Sequence, residues 1–162
     1  MRKVFFSFHY QRDSWRVGQV RNCNVVKRKY DKNIFLDSSN WEQVKKGGEQ
    51  AIKRWINEQL KGTSVTIVLI GSDTSERKYV NYEIEKSYEK GNGLLGIYIH
   101  NILDKNGRTD IKGKNPLNNW QIEINGQTKR LSEIFNTYDW MSDRGRDNID
   151  NWIEEAANLA NR

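Results

Sequence analysis

The sequence predicts an α/β fold in which a central parallel sheet lies between two layers of helices. Short apolar runs alternate along the chain with segments whose apolar residues recur at helical spacing. Residues 64–70 form the clearest run, and a continuous β-branched and apolar run is typical of a central parallel strand covered on both faces. Because right-handed crossovers place the intervening helices on both faces of such a sheet, this order of elements indicates a doubly wound, three-layer domain.

Five apolar runs that are rich in aromatic or β-branched residues are predicted to be strands: residues 4–8, 33–37, 64–70, 94–99 and 135–140. The second of them ends on a carboxylate, Asp37. Gly71 closes the third, and Gly91 and Gly93 separate the fourth from the helix before it. Each run is too short for a typical helix, so a strand is the better interpretation.

Four longer segments have the periodicity of amphipathic helices: residues 13–29, 43–60, 76–90 and 149–160. The apolar stripe of the first is imperfect and consists of Trp15, Val20, Cys23 and Val26. The stripe of the second is Ala51, Ile52, Trp55, Ile56 and Leu60, and that of the third is Val80, Ile84, Ser87 and Tyr88. We expect these stripes to pack against the sheet.

Residues 101–128 interrupt the alternation of strands and helices. They are rich in Asn, Gly, Lys and Asp and hold the only proline, Pro116. We expect a surface insertion with a small hairpin near residues 121–126. With no internal repeat and no linker in sight, the 162 residues are predicted to form a single domain over 1–162.

Composition excludes several kinds of protein. The single cysteine, Cys23, excludes an internal disulfide framework, and two histidines are too few for a typical zinc site, so no metal is expected. No apolar run approaches the ~20 residues of a membrane span, and no signal peptide is visible. We therefore expect a cytoplasmic protein without a membrane partner.

The net charge of +6 is unevenly distributed. Residues 1–61 carry 14 Lys/Arg against 6 Asp/Glu, whereas residues 62–162 carry 13 against 15. Most of the basic side chains are scattered at positions that a surface helix would expose, so a solvated face is the first interpretation. Attraction of a phosphate-bearing small molecule or of nucleic acid remains open, with nucleic acid the less favoured.

Sheets of this kind bind ligands beyond the carboxyl ends of their strands. The residues after the first strand, 9–12, lack the Gly-x-Gly-x-x-Gly of a dinucleotide Rossmann site, and the chain has no P-loop. The acidic cluster of a phospho-receiver domain is also missing from the first strand. These doubly wound classes are therefore excluded.

A carboxylate remains on the helix that follows the third strand. On a helical wheel, Glu83 lies at the border of the buried stripe, about 90° from its centre, with Tyr79 one turn nearer the sheet edge. One interpretation is a half-buried glutamate that faces a cleft near Phe8 and Ser72. The other is a surface ion pair with Lys86, and the pattern alone leaves both open.

The order and motifs of these elements resemble the TIR (Toll/interleukin-1 receptor) family, which has a flavodoxin-like fold. Residues 4–10 resemble its opening strand, and residues 64–74 resemble its third strand and loop. Residues 77–84 resemble its Trp-Val-x-x-Glu-Ile segment, with Tyr79 where Trp is usual, and Asp139-Trp140 fits a late motif. The likeness is greatest to the TIR-like proteins of bacterial Thoeris anti-phage systems.

This resemblance implies NAD+ as the substrate, without a separate cofactor, and Glu83 as the catalytic residue. Departure of nicotinamide leaves an oxocarbenium-like ribose, which a carboxylate stabilises. Attack by the adenosine part of the same molecule gives a cyclic ADP-ribose isomer, whereas attack by water gives linear ADP-ribose.

Further residues are predicted to contact the substrate, each with a structural alternative. Those at the ends of strands or in the adjoining loops are Phe8, His9, Tyr10, Asp37, Trp41, Ser72, Thr74 and Tyr79. A histidine near a strand end is also common as a structural residue, and Trp41 could instead pack on the helix of residues 43–60. Ser72 and Thr74 could instead cap the following helix.

Three functions therefore stand side by side. The first is an NAD+ glycohydrolase/cyclase that makes a signalling nucleotide for a separate effector protein in anti-phage defence. The second is a non-catalytic TIR adaptor that self-associates through the loop at residues 37–48. The third is a nucleic-acid or phosphate-binding module, suggested by the basic half of the chain. The resemblance favours the first and also implies self-association on activation.

Overall fold

The computed structural model describes residues 2–30 and 38–162, and the side chains of residues 38–41 fall outside that description. The elements in this part of the chain are β1 (Val4–Ser7), α1 (Tyr10–Arg21), α2 (Asn24–Lys29), α3 (Ser38–Lys46), α4 (Gly48–Leu60), β2 (Val65–Ile70), α5 (Lys78–Lys90), β3 (Gly93–Tyr98), β4 (Gln121–Ile124), β5 (Gln127–Arg130), α6 (Leu131–Ile134), β6 (Thr137–Asp139) and α7 (Gly145–Leu159). Two short 3-10 helices, Thr74–Glu76 and Pro116–Asn119, complete the list. The predicted strand at residues 33–37 lies outside the described residues.

The main sheet is parallel and has the strand order β1-β2-β3-β6. Every residue of β2 is buried, as a run without polar alternation predicts for a central strand. One row across the sheet joins Ser7 to Val68, Val68 to Gly96 and Gly96 to Thr137. The carboxyl ends of β1 and β2 therefore lie side by side.

Helices cover both faces of this sheet, which confirms the predicted α/β sandwich. On one face, α1, α2 and α7 pack through a core that includes Val20, Val26 and Ile153. On the other face, α5 packs through Val80 and Ile84, while α4 packs near Phe5 of β1. The face that carries α4 and α5 is the one on which the carboxylate predicted from the helical wheel lies.

Two predicted helices are each divided into two. The segment 13–29 becomes α1 and α2, which meet where Cys23 has extended backbone angles, and Trp15 is 52% exposed rather than part of the core. The segment 43–60 is broken before Gly48, whose φ of 81° only glycine adopts readily. Its first part belongs to α3, so the loop expected at residues 37–48 is helical from residue 38 to 46. In α5, Tyr88 lies on the exposed side.

The segment after β3 is fastened to α1. The buried Arg16 donates to the carbonyl oxygens of Ile102 and Arg108 at 2.7 and 2.9 Å. Arg12 pairs with Asp110 at 2.9 Å. The later part of the insertion carries the predicted hairpin, in which β4 and β5 pair in antiparallel fashion. The insertion is thus anchored to α1 at its start and ends in a hairpin whose Ile122 packs against the core.

Candidate functional site

A pocket of about 400 Å³ opens at the end of β1 and lies between α1, α4 and the first turns of α5. Its aromatic and apolar lining comes from Phe5, Phe6, Phe8, Tyr10, Ile52, Trp55, Tyr79 and Val80. Its polar lining comes from His9, Gln11, Lys45, Glu49, Arg77, Lys78 and Glu83, and Gly48 completes it. Much of the wall is therefore apolar, and most polar groups in it carry a charge.

Glu83 is the buried carboxyl group of this pocket, with 9% of its surface exposed. Burial disfavours its charged form and raises its pKa to about 8. The neighbouring Ser7 hydroxyl acts in the opposite direction and lowers the pKa. A carboxyl group in this state is neutral for most of the time at pH 7 and ionises readily when a cation arrives beside it.

Helix α5 holds Glu83 in place through contacts on its other side. Val80 and Ile84, one on each side of Glu83 in the sequence, are buried against β2 and β3. One turn further on, the hydroxyl of Ser87 lies 2.6 Å from that of Thr66 on β2. These contacts fix the rotation of the helix, so Glu83 is directed along the sheet surface toward the end of β1. Glu83 lies beside the buried stripe, as the helical wheel predicts, but it is buried rather than half-buried.

Aromatic rings enclose the space in front of the carboxyl group. The rings of Phe8 and Tyr10 have centroids 6.0 Å apart and lie tilted to each other. Tyr79 and Trp55 are half-buried and contribute from α5 and α4. Faces of aromatic rings attract cations and offer stacking surfaces to flat heterocycles. The pocket is thus suited to a ligand with planar rings and a positive charge near Glu83.

The rim of the pocket is basic. Lys78 pairs with Glu49 at 2.8 Å, and Lys53 pairs with the same carboxylate at 3.0 Å. Lys45 and Arg77 are exposed and form no ion pair with any residue in 2–30 or 42–162. Two cationic side chains at the mouth are therefore available to an anionic group of a ligand.

His9 lines the same pocket in its neutral form. Its pKa is lowered first by burial and then by the positive charge of Arg77. Its Nδ1 atom is buried and has no hydrogen-bond partner within the described chain. A ligand that fills the pocket could therefore supply one.

Some residues predicted from the sequence lie elsewhere. Ser72 and Thr74 do not line the pocket, and the Thr74 hydroxyl accepts a hydrogen bond from the Gly71 amide at 2.8 Å within the loop after β2. Their predicted contact with substrate stays a prediction that this geometry does not support. Asp37 and the side chain of Trp41 lie outside the described residues, so their predicted contacts also stay predictions.

Sequence reasoning missed several residues of the pocket. Periodicity places Trp55 in the core stripe of its helix, because it cannot distinguish an aromatic core residue from one that lines a cleft. The two cations of the rim are also absent from the predicted substrate contacts: Lys45 belongs to no motif, and Arg77 opens the segment 77–84 without a role of its own. A usable signal for Arg77 is its position just before the first turn of α5, two residues from Tyr79.

No group of three or more His, Cys, Asp or Glu side chains is arranged to hold a metal ion within the described part of the chain. No helix in that part is both long and apolar enough to cross a membrane.

Comparison with known proteins agrees with the resemblance seen in the motifs. Residues 5–104 match the family model described as "Thoeris protein ThsB, TIR-like domain". The chain is also 38% identical to a protein of Bacillus cereus (strain MSX-D12) named "Putative cyclic ADP-D-ribose synthase ThsB1". That match covers 94% of this chain and 98% of the relative. All the pocket-lining residues described above fall within the matched range 5–104.

Proposed function

We propose that this chain, which belongs to the TIR-like family of the Thoeris protein ThsB, cleaves the nicotinamide–ribose bond of NAD+ and releases a cyclic ADP-ribose isomer. The observation that carries the proposal is Glu83, a carboxyl group buried in a pocket rich in aromatic side chains. The relative from Bacillus cereus is named as a cyclic ADP-D-ribose synthase, which supports the cyclic product.

The first step needs a carboxylate and no general acid. The positive charge of the nicotinamide ring, bound in front of Glu83, favours ionisation of the carboxyl group. The N-glycosidic bond then breaks, and its electron pair stays with nicotinamide, which leaves as a neutral molecule. The positive charge moves to the ribose, where the adjacent carboxylate stabilises the oxocarbenium-like cation. The carboxylate interacts more strongly with the positively charged ribose of the transition state than with the ribose of bound NAD+, so it accelerates the reaction.

The second step decides the product. In cyclisation, a nucleophilic atom of the adenosine part attacks the ribosyl cation, and any proton on that atom is lost to solvent or to Glu83. Water competes for the same carbon. Rings from Phe8, Tyr10, Trp55 and Tyr79 reduce the access of water and offer surfaces on which the adenine can stack close to the ribose. We therefore expect the cyclic isomer as the principal product.

The basic rim accounts for binding of the diphosphate. Lys45 and Arg77 are cationic and unpaired within the described residues, and they lie at the mouth of the pocket that holds Glu83. A diphosphate held there would leave nicotinamide riboside on the inner side and adenosine nearer the rim. His9, neutral and with an unsatisfied ring nitrogen, is suited to a hydrogen bond with a ribose hydroxyl.

The product would serve as a message to a separate effector protein in cytoplasmic anti-phage defence. We further propose that active protein self-associates, so that the α3–α4 side of the pocket is completed by a neighbouring copy. The specific rate of nicotinamide release should then rise with protein concentration. A specific rate that is constant across dilution would contradict assembly while leaving the catalytic proposal intact.

The decisive experiment incubates purified protein with NAD+ and separates nicotinamide, linear ADP-ribose and cyclic isomers by chromatography. Wild-type protein should release nicotinamide, and Glu83→Gln should release none above the blank. Glu85→Gln is the matched control, because Glu85 lies on the same helix and does not line the pocket. Absence of turnover in the wild type at high concentration would leave the non-catalytic adaptor as the better reading.

A further inference from the structure

Ser7 is a polar residue in an apolar setting at the end of β1. Its hydroxyl is fully buried and has no hydrogen bond of ordinary geometry to any described residue. Buried hydroxyl groups are normally paired, because leaving one unpaired costs free energy. The carboxyl group of Glu83 lies close enough for the Ser7 hydroxyl to lower its pKa.

Two other buried hydroxyl groups, one on the sheet and one on α5, form a hydrogen-bonded pair with a structural role. Thr66 on β2 and Ser87 on α5 are both fully buried, and their oxygens lie 2.6 Å apart. Thr66 also accepts a hydrogen bond from the side chain of Asn92. Those two hydroxyl groups satisfy each other between sheet and helix. Ser7 has no such structural partner in the described chain, and the carboxyl group beside it lines the pocket.

We propose that Ser7 is the positioning residue of Glu83: its hydroxyl donates to the Glu83 carboxylate when that group ionises and holds it toward the pocket. The proposal rests on the function proposed above. Hydrogen bonds from a hydroxyl to a carboxylate are short and roughly twice as strong as neutral ones. Ser7 is a suitable donor because pairing of β1 with β2 fixes its backbone opposite Val68. The carboxylate is therefore oriented by the sheet rather than by its own flexible side chain.

No charged side chain around the pocket takes the place of the Ser7 hydroxyl as a partner of Glu83. Besides Glu83, the ionisable residues that line the pocket are His9, Tyr10, Lys45, Glu49, Arg77, Lys78 and Tyr79, and β1 contributes only phenylalanines to the lining. Among described residues, burial and the Ser7 hydroxyl are the causes that shift the pKa of Glu83, and no charged side chain contributes. The pKa of His9 is lowered from 6.5, so its titration lies below the range in which Glu83 titrates.

The test is the pH profile of kcat/KM for NAD+, which reports the pKa of the essential group in the free enzyme. We expect the wild-type profile to rise with pH through the pKa of Glu83. In Ser7→Ala, loss of the donor should raise that apparent pKa by about one unit. The rate at pH 7 should then fall about tenfold, and the two profiles should converge at high pH. Blanks without enzyme correct for alkaline hydrolysis of NAD+.

Two further variants separate positioning from packing. Ser87→Ala removes a fully buried serine hydroxyl one turn away on α5 that helps to hold the helix, so it should lower the rate equally at every pH, if at all, and leave the apparent pKa at the wild-type value. Ser7→Thr restores a hydroxyl and should return the apparent pKa toward the wild-type value. A Ser7→Ala profile that superimposes on the wild type, or that is lowered equally at every pH, would overturn the proposal.

A measurement without turnover keeps the two proposals distinguishable. The side-chain carboxyl resonance of Glu83 can be followed by NMR in protein labelled with ¹³C glutamate, and the spectrum of Glu83→Gln identifies it. A higher Glu83 pKa in Ser7→Ala supports the Ser7–Glu83 hydrogen bond even in a protein that does not process NAD+. An unchanged pKa in an active enzyme contradicts the inference about Ser7 alone.

Discussion

Replacing the buried carboxyl group by its amide isostere should stabilise the protein at neutral pH. In the folded state, burial raises the pKa of Glu83 from 4.5 to about 8. Below pH 4.5 the group is protonated in both the folded and the unfolded state, so it adds no penalty. Between pH 4.5 and 8 the folded state retains a proton that the unfolded state has released, and each pH unit costs about 1.4 kcal/mol. Stability is therefore lost progressively as the pH rises through this window.

The size of the effect follows from that window. At pH 7 the penalty amounts to about 3 kcal/mol, whereas at pH 5 it is below about 1 kcal/mol. Glutamine has nearly the same shape and is neutral at all pH values, so Glu83→Gln should remove the penalty. For a chain of this length we expect Tm at pH 7 to rise by roughly 6–12 °C. Activity should be lost in the same variant.

The assay is thermal or urea unfolding of wild type, Glu83→Gln and Glu85→Gln at pH 5, 7 and 8.5. The advantage of Glu83→Gln over the wild type should grow from pH 5 to 8.5, and Glu85→Gln should show no comparable trend. A Glu83→Gln protein that is less stable than the wild type at pH 7 would refute the reasoning. So would an advantage of equal size at all three pH values.

Three further outcomes are expected. Tyr79→Ala opens the aromatic wall to water, so chromatography of its products should show a larger share of linear ADP-ribose than the wild type, whereas Tyr79→Phe should not. Arg77→Ala should raise KM for NAD+ several-fold with a smaller change in kcat, and steady-state kinetics should show no such change for Arg54→Ala, whose side chain is exposed outside the pocket. Gly71→Ala should lower the free energy of unfolding by about 1–3 kcal/mol in urea titrations, because the new Cβ would lie 2.3 Å from an Asp13 carboxylate oxygen. In contrast, the new Cβ of Gly18→Ala within α1 would lie at an ordinary contact distance of 3.9 Å from the Asn22 side chain, so this change should raise the free energy of unfolding by about 0.5–1 kcal/mol.

The sheet was predictable because its signal is local and strong. A run such as β2, apolar at both odd and even positions, fits only a strand covered on both faces. The order of such runs, together with the handedness of crossovers, then determines where the helices lie. The position of Glu83 on its helix followed from the same periodicity. Residues 33–37 are a separate case, because that predicted strand lies outside the described residues.

The depth of the site was not predictable from the same patterns. A helical wheel gives the direction of Glu83 but not what stands opposite it, and the pocket around Glu83 is lined by residues distant in sequence such as Phe8 and Trp55. Likewise, the break between α3 and α4 depends on the positive φ of Gly48, which a strongly periodic segment conceals. Trp55, two turns further along α4, lines the pocket and also packs against the core.

The attachment of the insertion to α1 has a consequence for engineering this protein. A shortened version must keep residues 100–113, because their removal would leave the buried Arg16 guanidinium without its carbonyl acceptors and would loosen the helix whose first turn carries Tyr10. The hairpin is different, since every side chain of β5 is exposed. The only native thiol, on Cys23, is buried, so Thr128→Cys would provide a single reactive position for a fluorophore or an affinity handle. Such a label would report on contacts between copies of the chain, and its position lies outside the residues that line the pocket.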